Sequence, residues 1–147
     1  MTRKVSAQRR DDVRRLFQQM AFNAAFGNTD DHLKNFWMVH DATGYRLSPA
    51  FDLLPNVGER REHVLMFEYD FSPPARAQSL AVASRWAVDD AAALLDAVVA
   101  SVARFAAVAK RHAVPQANID EVAADIARRL ALLAAPRSRQ RAASAPR

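Results

Sequence analysis

Apolar positions fall into two regimes along the chain. Val13, Leu16, Phe17, Met20, Ala21 and Ala24 recur at spacings of three and four and predict one face of a helix. Asp11 and Asp12 suit its positive start and Gly27 its end. The pattern then changes. Residues 28–35, NTDDHLKN, are polar and read as a loop, and FWMVH (36–40) reads as a short buried strand. DATG (41–44) signals a turn, and YRLSP (45–49) reads as the partner strand, which together predict a β-hairpin. AFDLLPN (50–56) is an apolar run holding a single acid, Asp52.

Helical spacing returns beyond Pro73 and Pro74. VLMFEYDF (64–71) fits a strand or a strand-like loop, and the two prolines break it. A helix is expected around Ala75–Trp86. A second, capped by Asp89 or Asp90, carries Ala92, Leu95, Val99, Val102 and Ala106 on one face down to about His112. Asn118 with Glu121 three residues on resembles a capping box, opening a last helix that runs to about Ala134. No repeat is present. The strands are too few for a barrel or a sandwich, so the expected class is mostly α (α+β): a helical lobe with one small β-hairpin packed on it.

Composition bounds this picture. The 147 residues suffice for one domain with a core, 50% are hydrophobic and only three are glycine, which favours a folded helical chain over disorder. The net charge of +5 sits at the ends. Residues 1–15 have six basic and two acidic side chains, and residues 137–147 have four arginines and no acid, whereas the stretch between is net acidic. These ends read as solubilising tails, with nucleic-acid contact as the other option. The expected division is a basic segment at 1–10, a domain at 11–135 and a basic, disordered tail at 136–147. There is no cysteine, which excludes disulfides, thiolate metal sites and a cysteine nucleophile. No apolar run reaches the ~18 residues that span a bilayer, and the basic N-terminus lacks a signal peptide's apolar stretch. A cytoplasmic protein without membrane contact is expected.

The densest chemistry lies at Asn28, Asp30, Asp31, His32, Lys34 and Asn35. A solvated connection with Asx turns would account for that loop alone. Asp52 changes the balance. It follows one hairpin after Asn35, and its neighbours Phe51, Leu53 and Leu54 predict partial burial, where a carboxylate needs a partner or a metal. A hairpin folds the chain back, so Asp52 is expected beside the loop. Asn35 and Asp52 would then offer the oxygen ligands that suit Mg²⁺, leaving Asp30 to orient an attacking hydroxyl. Asp30 and Asn35 also stand five residues apart, the spacing of the aspartate and asparagine in the kinase catalytic loop.

The stretch FNAAFGNTDDHLKNFWMVHDATGYRLSPAFDLLPN resembles the signature of the HipA-like kinases, roughly G-N-x-D-x-H-x-K-N, a hairpin, then L-x-P-x-Y/F-D. Gly27, Asn28, Asp30, His32, Lys34, Asn35, Leu47, Pro49, Phe51 and Asp52 fall in register, and the resemblance covers roughly residues 10–135. It implies a protein-kinase-like C-terminal lobe that transfers phosphate from ATP to a serine or threonine hydroxyl of a protein substrate. It also implies Mg²⁺, and a setting in type II toxin–antitoxin systems beside a DNA-binding antitoxin. By motif position Asp30 is the catalytic aspartate, and Asn35 and Asp52 are the Mg²⁺ ligands and the cofactor-binding residues. His32 and Lys34 support the catalytic set, Lys34 by neutralising transferred phosphate and His32 more plainly as a hydrogen-bonded structural histidine. Asp31 occupies a variable slot, and His40, His63 and His112 match nothing. The resemblance also implies an N-terminal lobe with a Gly-rich phosphate loop and a nucleotide-pairing lysine. No Gly-rich loop occurs here, and Lys4 is the only lysine before Lys34. The chain is therefore expected to be a gene fragment, a relic, or one half of a site whose other lobe is a separate chain. A non-catalytic module binding an antitoxin-like partner is the alternative to a kinase.

Overall fold

The computed structural model describes residues 5–57, 62–65, 67 and 70–134. Among them are five α-helices and one two-stranded antiparallel sheet, the mostly α, α+β class that the periodicity predicts. Helix α1 spans Arg9–Phe26. A single 3₁₀ turn at Leu33–Asn35 leads into β1 (Met38–Asp41) and β2 (Gly44–Leu47), which pair in the register Met38–Leu47, Val39–Arg46, His40–Tyr45 and Asp41–Gly44. The helices α2 (Arg76–Arg85), α3 (Ala91–Val102), α4 (Phe105–Arg111) and α5 (Gln116–Leu133) follow. Between 62 and 71 the described residues form no strand beyond an isolated bridge, Phe67 to Asp70.

Helix α1 is the central element. Its stripe of Val13, Phe17, Ala21, Ala24 and Ala25 is buried. Towards the C-terminal end, small alanines let α1 lie close to Leu95 of α3 and to Val122, Ile126 and Leu133 of α5. Towards the N-terminal end, Val13 and Phe17 pack with Ala83, Val88 and Leu94. The helix ends as expected at Gly27, whose φ of +80° is open to glycine and closes the last turn onto the Asn23 carbonyl.

Three helix starts and ends differ from the sequence expectation. The helix expected from Ala92 to His112 is two helices, α3 and α4, bent by 42°. The bend aims Phe105 at Phe26, ring centroids 5.7 Å apart, so aromatic packing overrides the propensity of the alanine run. Asp90 stands at the start of α3 but makes no side-chain cap, because its carboxylate is drawn 2.8 Å from the Arg14 guanidinium. That hydrogen bond holds the Asp90 carboxyl below its ordinary range. Asn118 and Glu121 do not open the last helix. It begins at Gln116 after Pro115, whose fixed φ is already helix-compatible and which has no N–H to satisfy.

The hairpin is fastened to α1 by one carboxylate. Asp12 is fully buried, and its Oδ2 accepts from the Leu47 amide and from the Ser6 hydroxyl, each at 2.7 Å. Arg15 stands 3.8 Å from Asp12 Oδ1 and donates to the Leu47 carbonyl. The Ala7 amide donates to the Tyr45 carbonyl at 2.7 Å. Residues 6–10, expected to be a loose basic segment, are thus tied to the hairpin and to α1. The expected tail at 136–147 lies outside the described residues. No single helix among those described is long and apolar enough to cross a membrane.

Replacing Asp12 by alanine should strand the buried Leu47 amide. The expected loss is about 1–3 kcal/mol, measured as a lower urea midpoint at unchanged slope. An unchanged midpoint would mean that apolar packing alone holds the hairpin.

Candidate functional site

The loop after α1 is built on the helix's last turn. Asn23 is buried there, and its carbonyl accepts from both the Gly27 and Asn28 amides. The Asn28 side-chain amide then donates twice, to Asn23 Oδ1 and to the Asp52 carbonyl, each at 3.2 Å. Asn28 is therefore the direct link between the loop and the post-hairpin acid. Asn56 makes a second strap. Its backbone amide donates to the Gly27 carbonyl at 2.8 Å, and its side chain to Thr29 Oγ1 at 2.9 Å. Thr29 is fully buried, and its carbonyl accepts from the Val64 amide.

This strapping brings Asp30 and Asp52 to one concavity of about 180 Å³, lined also by Asn28, Leu54, Pro55 and Asn56. Asp52 has a φ of +56°, a left-handed conformation that aspartate tolerates better than most residues. The expectation that Asp52 is partly buried is corrected: it is exposed, as are Phe51 and Leu54. At this left-handed residue the chain turns, and Asp52 lines the concavity as an exposed residue outside the apolar core.

Asn35 is buried next to this concavity and is not among its lining residues. Its Nδ2 donates to the Asp30 carbonyl at 3.1 Å. That bond fixes the amide's orientation and leaves Oδ1 as the atom able to serve a cation. Lys34 and His32 are exposed on the loop's outer side. The Lys34 carbonyl accepts from Trp37 Nε1, and Trp37 meets Phe51 edge-on at 5.7 Å, joining the loop to the segment before Asp52. The expectation of a hydrogen-bonded histidine at 32 is not met among the described residues.

The histidine that is held is His63, which the sequence left unassigned. It is 2% exposed. Its Nδ1 lies 3.0 Å from Asp31 Oδ2, and Arg129 Nη1 lies 3.3 Å from its Nε2. Asp31 in turn is 3% exposed, and its Oδ1 accepts from the Val64 and Leu65 amides at 2.9 and 3.1 Å. Asp31 is therefore no free variable position but the anchor between the loop and residues 63–65. Arg129 was findable. It falls on the apolar stripe of α5 with Val122, Ile126 and Leu133, all buried, and a cation on a buried stripe needs an acceptor inside. No local spacing pointed to His63.

The Asp52 carboxylate and the Asn35 amide oxygen are of the kind that suits Mg²⁺ arriving with phosphate oxygens, since that ion is commonly held by one or two carboxylates and its remaining ligands. Among the described residues no group of three or more His, Asp or Glu side chains could hold a metal by itself.

The mostly helical lobe thus brings an acidic loop and a post-hairpin acid to one concavity. The family model of the HipA-like C-terminal domain matches residues 1–133, and the chain belongs to that family. Over 57 residues it is 40% identical to a protein of Sinorhizobium fredii (strain NBRC 101917 / NGR234) that carries the name "Putative kinase Y4mE". The aligned stretch is 39% of this chain and 14% of that relative.

The Asp125 carboxyl beside the site gives a pH test. Burial pushes it up, but hydrogen bonds from Arg129 and Arg128 outweigh this and hold it below its ordinary range. A depressed folded value means that the stabilisation is complete above the unfolded value near ~4 and is lost as pH falls through the folded one. Asp125→Asn should therefore lower the urea midpoint at pH 7, and the gap to wild type should shrink as pH falls below about 4 and through the depressed folded value. A gap that persists undiminished in acid would contradict the charge pairing.

Proposed function

We propose that this chain carries the catalytic loop and metal-binding half of a HipA-type serine/threonine kinase, transferring the γ-phosphoryl group of ATP·Mg²⁺ to a protein hydroxyl. The observation that carries this reading is the meeting of Asp30 and Asp52, one from each side of the hairpin, on a single concavity. Asp30 is the base. It orients the acceptor hydroxyl and takes its proton as the oxygen attacks phosphorus. Asp52 and Asn35 Oδ1 would hold the metal, and Mg²⁺, when bound, would supply charge neutralisation for the phosphates. Lys34, exposed on the outer side of the loop, is placed to meet phosphate oxygens only if the acceptor approaches from that side. His32 has no assigned step. The phosphate-covering loop and its lysine would come from a lobe outside this sequence. A toxin–antitoxin setting, with an antitoxin-like DNA-binding partner, rests on family membership alone.

One observation favours a second reading, a non-catalytic module that binds a partner. Leu33, Trp37 and Leu54 are 73%, 63% and 68% exposed around the site, an apolar rim that suits protein contact. Both readings use the same face, and phosphotransfer separates them.

In the protein containing both lobes, Asp30→Asn should cut phosphotransfer by ~10²–10⁴-fold, the usual contribution of a positioned base, with the melting temperature nearly unchanged. Asp52→Asn should raise the Mg²⁺ requirement, so that part of its loss returns at higher Mg²⁺. Wild-type turnover in Asp30→Asn would remove Asp30 from the mechanism. Absence of phosphotransfer in wild type with either Mg²⁺ or Mn²⁺ would favour the binding module.

A further inference from the structure

The chain from Asp31 through His63 to Arg129 and Asp125 links the site loop to the last helix, and the functional reading above makes no use of it. Its geometry specifies a hydrogen-bond direction. Asp31 Oδ2 stands 3.0 Å from His63 Nδ1 while Oδ1 accepts two backbone amides. An ionised carboxylate only accepts, so Nδ1 must carry the proton. Arg129 only donates, so His63 Nε2, 3.3 Å away, must present its lone pair. His63 is thus set as the neutral Nδ1–H tautomer. Arg129 is itself fixed by Asp125, whose Oδ2 accepts from Nε at 2.6 Å. The ring of His63 is wedged edge-on against Phe67 at 4.9 Å. The same ion pair touches the loop at its other end, since a Cβ on Gly27 would lie 2.9 Å from both Arg129 Nε and Asp125 Oδ2.

We infer that Arg129 and His63 are positioning residues: together with Asp31 they form a one-directional hydrogen-bond clamp by which helix α5 holds the 28–35 loop, and so Asp30, in place. The catalytic consequence rests on the kinase reading, and the clamp itself does not. The arrangement resembles the way a buried acceptor fixes a histidine tautomer in an active site, with the difference that His63 here is sealed from solvent and acts on the loop through Asp31. Asp31→Asn places an amide in this site. Either its oxygen keeps both backbone amides and its NH₂ then faces the Nδ1 proton, or it flips and leaves those amides unpaired. If His63 changes tautomer to relieve the first conflict, two donors meet at Nε2 and Arg129. Every alternative breaks one link.

The test uses the 147-residue chain and three readouts. Long-range ¹H–¹⁵N correlation of the histidine rings should show His63 as the Nδ1–H tautomer, which needs no variant. Amide hydrogen exchange in Arg129→Ala and Asp31→Asn should speed up about tenfold or more at residues 29–35, beyond any change in the amides of α3. In the two-lobed protein, kcat should fall in both variants with the nucleotide KM little changed. An Nε2–H tautomer, or loop exchange that rises only as much as that of α3, overturns the clamp. Loosened loops beside a wild type that transfers no phosphate would leave the clamp standing and remove the kinase reading. Loosened loops with undiminished kcat would remove the positioning role and leave the kinase reading intact.

Discussion

A buried carboxylate without partners is among the costliest groups a small domain can hold, and the Asp31 side chain is one such group with every partner supplied. Two backbone amides and an imidazole converge on it. The segment at 62–65 has little regular structure to hold it, so these bonds and the Val64 amide to the Thr29 carbonyl set its position on the loop. With that segment in place, His63 meets Arg129, and the loop is enclosed between α1, the 52–56 strap and α5. Asp30 lies next to this anchor in sequence. Asp30 lines the concavity, whereas its neighbour Asp31 is buried.

Asp12 plays a matching part at the other end of the hairpin. One buried carboxylate ties β2 to α1 and the other ties the loop to the 62–65 segment, so the hairpin between them has little freedom to tilt. Asp52 follows that hairpin by only a few residues. Its place beside Asp30 depends on both anchors and on Asn28, whose single amide group reaches Asn23 and the Asp52 carbonyl together. Of the two acids lining the concavity, Asp30 is half-buried and Asp52 exposed, while the two acids that anchor the hairpin and the loop, Asp12 and Asp31, are buried and hydrogen-bonded.

How much of this was legible in the sequence follows from the distance over which each signal acts. The stripe of α1, the Gly27 stop and the hairpin are local patterns, and the structure has them within a few residues. Asp30, Asn35 and Asp52 were picked out by spacing and by family resemblance, and the structure puts Asp30 and Asp52 on one concavity, with Asn35 buried and bonded to the Asp30 carbonyl. Burial was misjudged for Asp52 because apolar neighbours in sequence are not neighbours in space when a left-handed residue turns the chain. The break between α3 and α4 was hidden by alanine, which favours helix through a bend as readily as along a straight axis. Asp31 and His63 were missed for a different reason: their meaning lies in contacts across 32 and 66 positions, and neither residue type signals such a contact by itself. Arg129 did carry a signal, its place on an apolar stripe.

The proposed function depends on a cation–phosphate site at Asp52 and Asn35 with Asp30, the base, on the same concavity as Asp52. Paramagnetic broadening of amide resonances by Mn²⁺·ATP tests it most directly, because it detects even weak binding to this chain and locates it. The account predicts broadening centred on residues 28–35 and 52–56, absent from α3 and α4, and lost in Asp52→Asn. Broadening centred on another surface, or unchanged by Asp52→Asn, would contradict it.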